Sequence, residues 1–396
     1  MLLWLGELIS SIGSGLTSFG LGVYIFGKTG SAASMALVSL LGFLPTLLLS
    51  VPAGVLADRH DRRLLMMIGD GFSALGILFI LICIISGEAQ LWKICTGVFI
   101  SASFSALLEP SYRATVTDLL TKEEYSKASG MVSLAGSARY LVSPVLAGAL
   151  LTISDIKILL IIDIFTFFPT VIAAAFIKKE IALMQAYKDV SFAESLKIGG
   201  KAVTEKRGVL VLIIVSSLIT CFMGVFQILT QPLILDFTDS ATLGTAETIC
   251  ACGMVVSGIM LSAAGIKKGY VKILSVSLFF AGIGMAGFGI WENIFIICIF
   301  GFIFFAMLPF ANSCLDYLVR TNIADELQGR AWGFIGFISQ IGYVVAYALS
   351  GAAADWFSVY LLDGKIYGEI ILGKAKKEEE RQREEKLNSW LSEMGW

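Results

Sequence analysis

The sequence predicts an all-α polytopic membrane protein. Of its 396 residues, 57% are hydrophobic and only 15% are charged, with a mean hydropathy of +0.83, whereas a soluble domain carries about 25% charged residues. The apolar residues also form runs long enough to cross a bilayer as a helix, which takes about 20 residues. The charged residues are concentrated between these runs, so the polar segments are predicted to be loops at the membrane surfaces.

Eleven apolar runs are predicted to be transmembrane spans. Their approximate ranges are 2–26, 33–57, 64–86, 92–114, 128–153, 157–177, 208–235, 246–266, 270–291, 293–318 and 331–354. The first run is interpreted as a membrane helix because no polar mature domain follows it, as would follow a cleaved signal peptide. Residues 355–372 carry too many charges for a span, so a twelfth helix is predicted to be absent or atypical.

The Lys and Arg residues are distributed unequally between the two sets of loops. Loops that follow even-numbered spans hold 18 of them, whereas loops that follow odd-numbered spans, up to the ninth, hold only Lys28, Lys93 and Lys157. Cytoplasmic loops of membrane proteins are enriched in Lys and Arg. We therefore predict a multi-pass protein of the plasma or inner membrane with a cytoplasmic N-terminus.

The longest internal loop divides the spans into two sets. We predict a six-helix N-terminal half at 1–177, a central cytoplasmic loop at 178–207, a five-span C-terminal half at 208–354 and a charged, atypical tail at 355–396. A weak internal repeat supports the division, since Lys127-Ala128-Ser129-Gly130 opens the fifth span and Arg330-Ala331-Trp332-Gly333 opens the eleventh. Paired six-helix repeats are typical of one large class of transporters.

The sequence lacks the common signatures of enzymes and metal sites. All seven cysteines fall in apolar runs, the only histidine is His60, and there is no CxxC, HExxH or P-loop pattern. These absences argue against a metal site, a disulfide framework, a membrane metalloprotease and ATP-driven transport by this chain. We expect a protein that is not an enzyme and that uses no metal or cofactor.

The loop between the second and third spans carries the most specific motif. Its pattern consists of Gly54, Leu56, Ala57, Asp58, Arg59, Arg62 and Arg63. This pattern resembles motif A of the major facilitator superfamily, and the form Asp-Arg-x-Asp-Arg-Arg is similar to the branch of macrolide-efflux or transmembrane secretion effector transporters. The resemblance extends over about 1–354 and implies the major facilitator fold, which is built from two six-helix pseudo-repeats.

Three positions depart from the family pattern. Asp61 stands where motif A usually has glycine, and Ser101 stands where many proton-coupled members carry the arginine of motif B. The stretch 143–148, Ser-Pro-Val-Leu-Ala-Gly, is a degenerate form of the fifth-helix efflux motif. The direction of transport is therefore less well indicated than the fold.

Motif A implies a gate, meaning a contact that holds the two halves together on the cytoplasmic side. The resemblance places Asp58 at the N-terminus of the eleventh helix, near Ala331, where the helix dipole favours a carboxylate. It pairs Arg62 with a carboxylate of the fourth helix, for which Glu109 is the first candidate and Asp118 the second. The alternative, a loop charged only to fix topology, explains the arginines but not the adjacent aspartates.

Charged residues inside the spans are candidates for proton coupling. A charge at the centre of a membrane helix costs about 2.5–3.5 kcal/mol, so such residues are functional candidates by default. Glu7 is the first candidate because the first helix lines the cavity in this superfamily, and Asp163 is the second; Asp70 and Arg139 are further candidates inside spans. The alternative is that Glu7 or Asp163 forms a structural ion pair with Arg139.

The resemblance also implies a central cavity formed by the first, fourth, seventh and tenth helices. These helices offer as wall residues Phe19, Tyr24, Phe104, Phe222, Phe226, Gln227, Phe304, Phe305 and Asn312. Aromatic walls with few polar groups suit an amphipathic drug better than a sugar. The alternative for any single Phe is packing or contact with lipid.

Together these features predict a secondary active transporter that exports a hydrophobic small molecule or drug by proton antiport. Two alternatives stay open at this point: a metabolite uptake permease, and a truncated family member that does not transport. The expected partners are the lipid bilayer, the small-molecule substrate and the proton. We expect no nucleic-acid partner and a monomeric protein.

Overall fold

The computed structural model describes residues 2–119, 137–175, 200–201, 203–204, 206–323 and 328–361. Within these ranges the chain is helical and contains no strand. The twelve helices are α1 Leu2–Thr29, α2 Ala32–Arg59, α3 Arg62–Ile85, α4 Leu91–Ser105, α5 Leu108–Leu119, α6 Ser143–Ile153, α7 Ile156–Ala175, α8 Arg207–Leu235, α9 Ser240–Ala264, α10 Tyr270–Phe288, α11 Ile294–Asn322 and α12 Gln328–Leu361.

Ten stretches of helix in the described part of the chain are long and apolar enough to cross a membrane. They correspond to ten of the eleven predicted spans, so the prediction of a polytopic helical membrane protein is confirmed. The fourth span consists of α4 and α5, which are interrupted near Leu107. The shorter apolar helix α6 is the described end of the fifth span.

Helix ends are fixed by side chains that accept hydrogen bonds from the free N–H groups of a first turn. The Asp239 side chain accepts from the N–H of Thr242 at 2.8 Å at the start of α9. The Asn293 side chain accepts from the N–H of Phe295 at 2.9 Å at the start of α11. Such caps satisfy donors that a helix leaves unpaired, which allows the loops to be very short.

Two ends of the helix bundle are distinguished below. The basic end is the end at which α2 meets α3, at residues 59–63, and at which α8 begins after Lys206. The opposite end is the end at which α1 meets α2, at residues 29–32, and at which α8 meets α9, at residues 235–240. We call α1–α7 the N-terminal helices and α8–α12 the C-terminal helices.

The largest hydrophobic cluster joins the two sets of helices. It contains Leu16, Phe19 and Leu159 of the N-terminal helices together with Phe226 and Leu243 of the C-terminal helices, all less than 9% exposed. Two smaller clusters each belong to a single set: one surrounds Met66 and Tyr112, and the other surrounds Val319 and Ala331. The last two lie toward the basic end, so apolar packing between the sets concentrates away from that end.

Candidate functional site

Three N-terminal helices each carry a carboxyl group inside the protein, and one of these groups, Asp70, lies within electrostatic range of the other two. Glu7 lies on α1, Asp70 on α3 and Asp163 on α7, and both aspartates are only 1% exposed. Glu7 and Asp163 are close enough to Asp70 to interact with it electrostatically. One buried oxygen of Glu7 and one of Asp70 have no hydrogen-bond partner among the described residues. We call Glu7, Asp70 and Asp163 the carboxyl cluster.

The backbone of α1 packs directly against Asp163 of this cluster. A Cβ atom added at Gly13 would lie 2.9 Å from Oδ1 of Asp163 and 2.0 Å from the Thr166 hydroxyl. The Ser14 hydroxyl donates to the same Asp163 oxygen at 3.5 Å. The glycine therefore permits the close approach of α1 and α7, which keeps Asp163 away from lipid and solvent.

Arg139 lies beside the carboxyl cluster but does not neutralise it. Its guanidinium donates to the Ser18 hydroxyl at 2.9 Å. It is within electrostatic range of Asp163 and also of Tyr347 on α12. The ion pairs among the described residues do not include Arg139 with Asp163. Arg139 is thus placed between the two sets of helices.

A fourth carboxyl group within the helices, which is partly buried, was missed by the sequence interpretation. Glu247 lies on α9, with the side-chain amide of Gln231 on α8 beside it. Gln231 is 8% exposed, and its Oε1 lies 1.9 Å from the position of a Cβ atom on Gly22 of α1. The predicted eighth span began at residue 246, whereas α9 begins at Ser240. The displaced boundary put Glu247 at a surface when it lies two turns inside the helix.

The aromatic wall residues fall into different environments. Phe226 packs against Phe288, Phe304 and Phe305 with ring centroids 4.6, 5.7 and 4.8 Å away. These rings and Phe19 belong to the buried cluster that joins the two sets of helices. Phe104 stacks on Phe72 at 5.0 Å. Phe222, by contrast, is 49% exposed.

A polar contact lies among the aromatic side chains shared by α2, α8 and α12. The Tyr347 hydroxyl donates to the side-chain carbonyl of Gln227. Phe43 of α2 packs edge-on against Tyr347 at 5.7 Å and also contacts Tyr343 at 5.5 Å. Gln227 is therefore the polar wall residue that the structure places among aromatic rings.

Two cavities contain further wall candidates. One of about 290 Å³ lies between α8, α11 and α12 toward the basic end, and its lining includes Ser216, Asn312 and Asp316 among apolar residues. The other, of about 300 Å³, lies at the opposite end and is lined by Tyr24 and Lys28. The Lys28 ammonium is 5.7 Å from the centre of the Tyr24 ring.

At the opposite end, α6 and α9 touch through their backbones. A Cβ atom at Gly244 would lie 2.1 Å from the Pro144 carbonyl oxygen, and one at Gly148 would lie 2.4 Å from the Ser240 carbonyl oxygen. The Thr248 hydroxyl also donates to the Leu141 carbonyl at 3.0 Å. Pro144 and Gly148 are the residues of the degenerate efflux motif, so this motif forms a closed contact between the two sets of helices.

At the basic end, the structure accounts for Asp61. Its side chain caps α3 and accepts from the backbone N–H of Arg63 at 3.0 Å and from the Arg63 guanidinium at 2.8 Å. These hydrogen bonds hold the pKa of Asp61 below its usual range. The aspartate at a position usually occupied by glycine is therefore a helix cap.

Other gate residues are described only in part. Arg62 is 5% exposed, and Glu109 lies within electrostatic range of Glu7. The surroundings of Gly54 and the side chains of Asp58, Arg59 and Asp118 lie outside what the structure describes. The contacts of Asp58 with α12 and of Arg62 with Glu109 stay predictions.

Comparison with known proteins identifies similar chains. The family profile described as Major Facilitator Superfamily matches residues 3–347. The macrolide efflux protein A of Streptococcus pyogenes is 26% identical over 386 residues, and the alignment covers 92% of each chain. The macrolide efflux protein A of Enterococcus faecalis is 25% identical over 329 residues, and the alignment covers 79% of this chain and 98% of the relative. A bacterial homologue of the iron transporter ferroportin, solved in an inward-facing state, aligns over 94% of this chain and 95% of its own, with a TM-score of 0.68 and 13% identity.

Proposed function

Because the chain belongs to the Major Facilitator Superfamily, a family of membrane transporters and not of enzymes, we propose that it exports a hydrophobic small molecule by proton antiport. The observation that carries the proposal is the carboxyl cluster of Glu7, Asp70 and Asp163. The similarity to proteins named macrolide efflux protein A supports a macrolide or a similar amphipathic drug as the substrate.

The proposed orientation places the basic end in the cytoplasm, since Lys and Arg are enriched in cytoplasmic loops. Residues 1–177 and 208–354 would form the two moving halves, joined by the loop at 178–207. The backbone contacts between α6 and α9 close the opposite end, whereas the two hydrophobic clusters toward the basic end each belong to one half. These observations favour an inward-facing conformation.

The proposed coupling group is the carboxyl cluster. Burial disfavours an ionised carboxylate, and neighbouring carboxylates disfavour it further because like charges repel. A cluster of three such groups is stabilised when it holds protons and is destabilised when it loses them. Arg139 lies within electrostatic range of both Asp163 and Tyr347. A change in the charge of the cluster would therefore alter the position of Arg139 and its interaction with α12 in the other half.

The proposed substrate path runs between the aromatic rings and the polar groups toward the basic end. The cavity within the C-terminal helices has Asn312 and Asp316 in a lining that is otherwise mostly apolar. Gln227 and Tyr347 supply a hydrogen-bonding pair beside Phe43. A few polar groups among aromatic rings fit an amphipathic molecule better than a strongly polar one.

A drug-susceptibility panel in a host that lacks its own pumps tests this proposal. Expression should raise the tolerated concentration of macrolides or other amphipathic drugs, and a proton uncoupler should abolish the gain. Glu7→Gln should remove the uncoupler-sensitive part, whereas Glu88→Gln, which changes an exposed carboxylate, serves as the matched control. Resistance that is insensitive to the uncoupler would contradict proton coupling.

The direction of flux separates export from uptake. In everted membrane vesicles an acidic interior should drive labelled drug into the lumen, since the cytoplasmic face is then outside. Accumulation driven in right-side-out vesicles would favour the uptake permease. No flux in either preparation, with normal amounts of folded protein, would favour the non-transporting alternative.

A further inference from the structure

Asp355 forms a contact between the two halves that the sequence interpretation did not foresee. The eleventh span was predicted to end at 354, with the charged residues that follow assigned to a tail, but α12 continues to Leu361. Asp355 thus lies inside a helix, at the opposite end. Its carboxylate reaches the first turn of α2 in the N-terminal half.

Three hydrogen bonds join this carboxylate to α2. The backbone N–H groups of Ala32 and Ala33 donate to Asp355 at 3.0 and 3.1 Å, and the Ser31 hydroxyl donates to it at 2.7 Å. The next N–H, of Ser34, donates to the Ser31 side chain at 3.1 Å. The N–H groups in the first turn of α2 are therefore satisfied in part by Asp355, which is 322 to 324 positions away in the sequence. Of the N–H groups in this turn, the side chain of the N-cap residue, Ser31, satisfies only that of Ser34.

The backbone of α12 approaches α2 closely enough for this contact because of Gly351. A Cβ atom there would lie 2.6 Å from the Ala32 carbonyl oxygen and 2.8 Å from the Cα of Ala33. Residues four apart lie on the same face of a helix, so Gly351 and Asp355 face α2 together. The glycine allows the helices to touch, and the aspartate adds a charge that the positive end of the α2 dipole favours.

We propose that Asp355 is the residue that latches the opposite end of the transporter. Its carboxylate caps α2 while that end is closed, and the cap must break for the end to open. The inference rests on the proposed alternating access. It assigns Asp355 a positioning role in the conformational cycle, since it contacts neither the carboxyl cluster nor the aromatic rings among its described contacts.

The latch has a mirror image in the predicted motif A gate. Motif A implies that Asp58, near the end of α2, faces the N-terminus of α12. Asp355, near the end of α12, faces the N-terminus of α2. Each helix would then be capped by an aspartate of the other, at one end of the molecule in one conformation and at the other end in the next.

The distance between spin labels at the opposite end tests the latch. Asp155→Cys and Glu292→Cys in a cysteine-free background place the labels on exposed loops of the two halves, away from the α2–α12 contact. Asp355→Ala should raise the ratio of long to short distances by about 2- to 25-fold, the range that corresponds to loss of one helix cap. Gly351→Ala should act in the same direction by forcing the helices apart.

The matched control is Glu88→Ala. Glu88 lies at the same end and pairs with Lys93 at 2.5 Å within its own half, so its loss should leave the label distances unchanged. A wild-type distribution in both Asp355→Ala and Gly351→Ala, or an equal shift in Glu88→Ala, would overturn the latch. The distance measurement uses purified protein without drug or proton gradient, so its result does not depend on export. If Asp355→Ala shifts the distances but the wild-type protein exports no drug in vesicles, the latch is supported and the proposed export is refuted.

Discussion

Replacing Gly244 with alanine should open the opposite end of the transporter. The added Cβ would lie 2.1 Å from the Pro144 carbonyl oxygen and 2.8 Å from its carbonyl carbon. A carbon atom approaches a carbonyl oxygen to about 3.3 Å at closest, so α6 and α9 must separate by about 1.2 Å. Both partners are backbone atoms, so no side chain can rotate away to relieve the overlap.

The cost of this overlap falls on one conformation only. Overpacking of a tightly packed contact costs about 1–3 kcal/mol, and in the proposed alternating-access cycle α6 and α9 meet only while the opposite end is closed. The ratio of open to closed molecules should therefore rise about 5- to 140-fold, since each 1.4 kcal/mol is a factor of ten. Export should slow, because a transporter that spends less time closed at this end returns more slowly to the inward-facing conformation.

Double electron–electron resonance between labels at Asp155→Cys and Glu292→Cys measures the shift. Gly258→Ala is the control, because it lies on the same helix and a Cβ atom there would meet nothing within 4 Å. The control should keep the wild-type distances and export rate. Unchanged distances in Gly244→Ala, or the same change in Gly258→Ala, would refute the reasoning.

Three further outcomes are expected. Asp58→Asn should slow export while membrane expression is maintained. It should also shift the same label pair toward short distances, because it weakens the predicted contact that holds the basic end closed. Unchanged export would refute the gate. Asp163→Asn should leave drug binding to purified protein within about twofold but abolish the response of vesicle transport to a pH gradient, because the amide cannot release a proton; a retained response would exclude Asp163 from coupling. Tyr347→Phe should weaken drug binding by up to about tenfold if Gln227 orients the substrate, since a lost neutral hydrogen bond costs about 0.5–1.5 kcal/mol. Measuring binding affinity and thermal stability together separates a weaker contact with the drug from a general loss of stability.

The helical fold class and ten of the eleven predicted spans could be predicted from sequence because a bilayer imposes a length on every apolar run. Glu7 and Asp163 could be singled out because a charge inside such a run is costly. Their convergence with Asp70 could not be predicted, since the three lie on different helices and only the packing of α7 against both α1 and α3 brings them together.

Two functional candidates were missed for a common reason. Glu247 and Asp355 both lie near the limits of predicted spans, where hydropathy averages charged residues with their polar neighbours and so shortens the helix. In the structure each has a compensating partner, the Gln231 amide for Glu247 and the first turn of α2 for Asp355. A long-range partner leaves no local trace in the sequence, so these boundaries were set by composition alone.

The contact of Gly148 and Gly244 with the backbone of the facing helices has a consequence for how sharply the protein switches. A contact formed by flexible side chains loosens gradually, because rotamers adjust as the surfaces move apart. Two backbones cannot adjust in this way, so a separation of about 0.5–1 Å already removes a quarter to a half of their attraction. The opposite end should therefore be shut or released with little population in between, which makes the change of access a sharp switch and limits leakage of protons through a half-open protein.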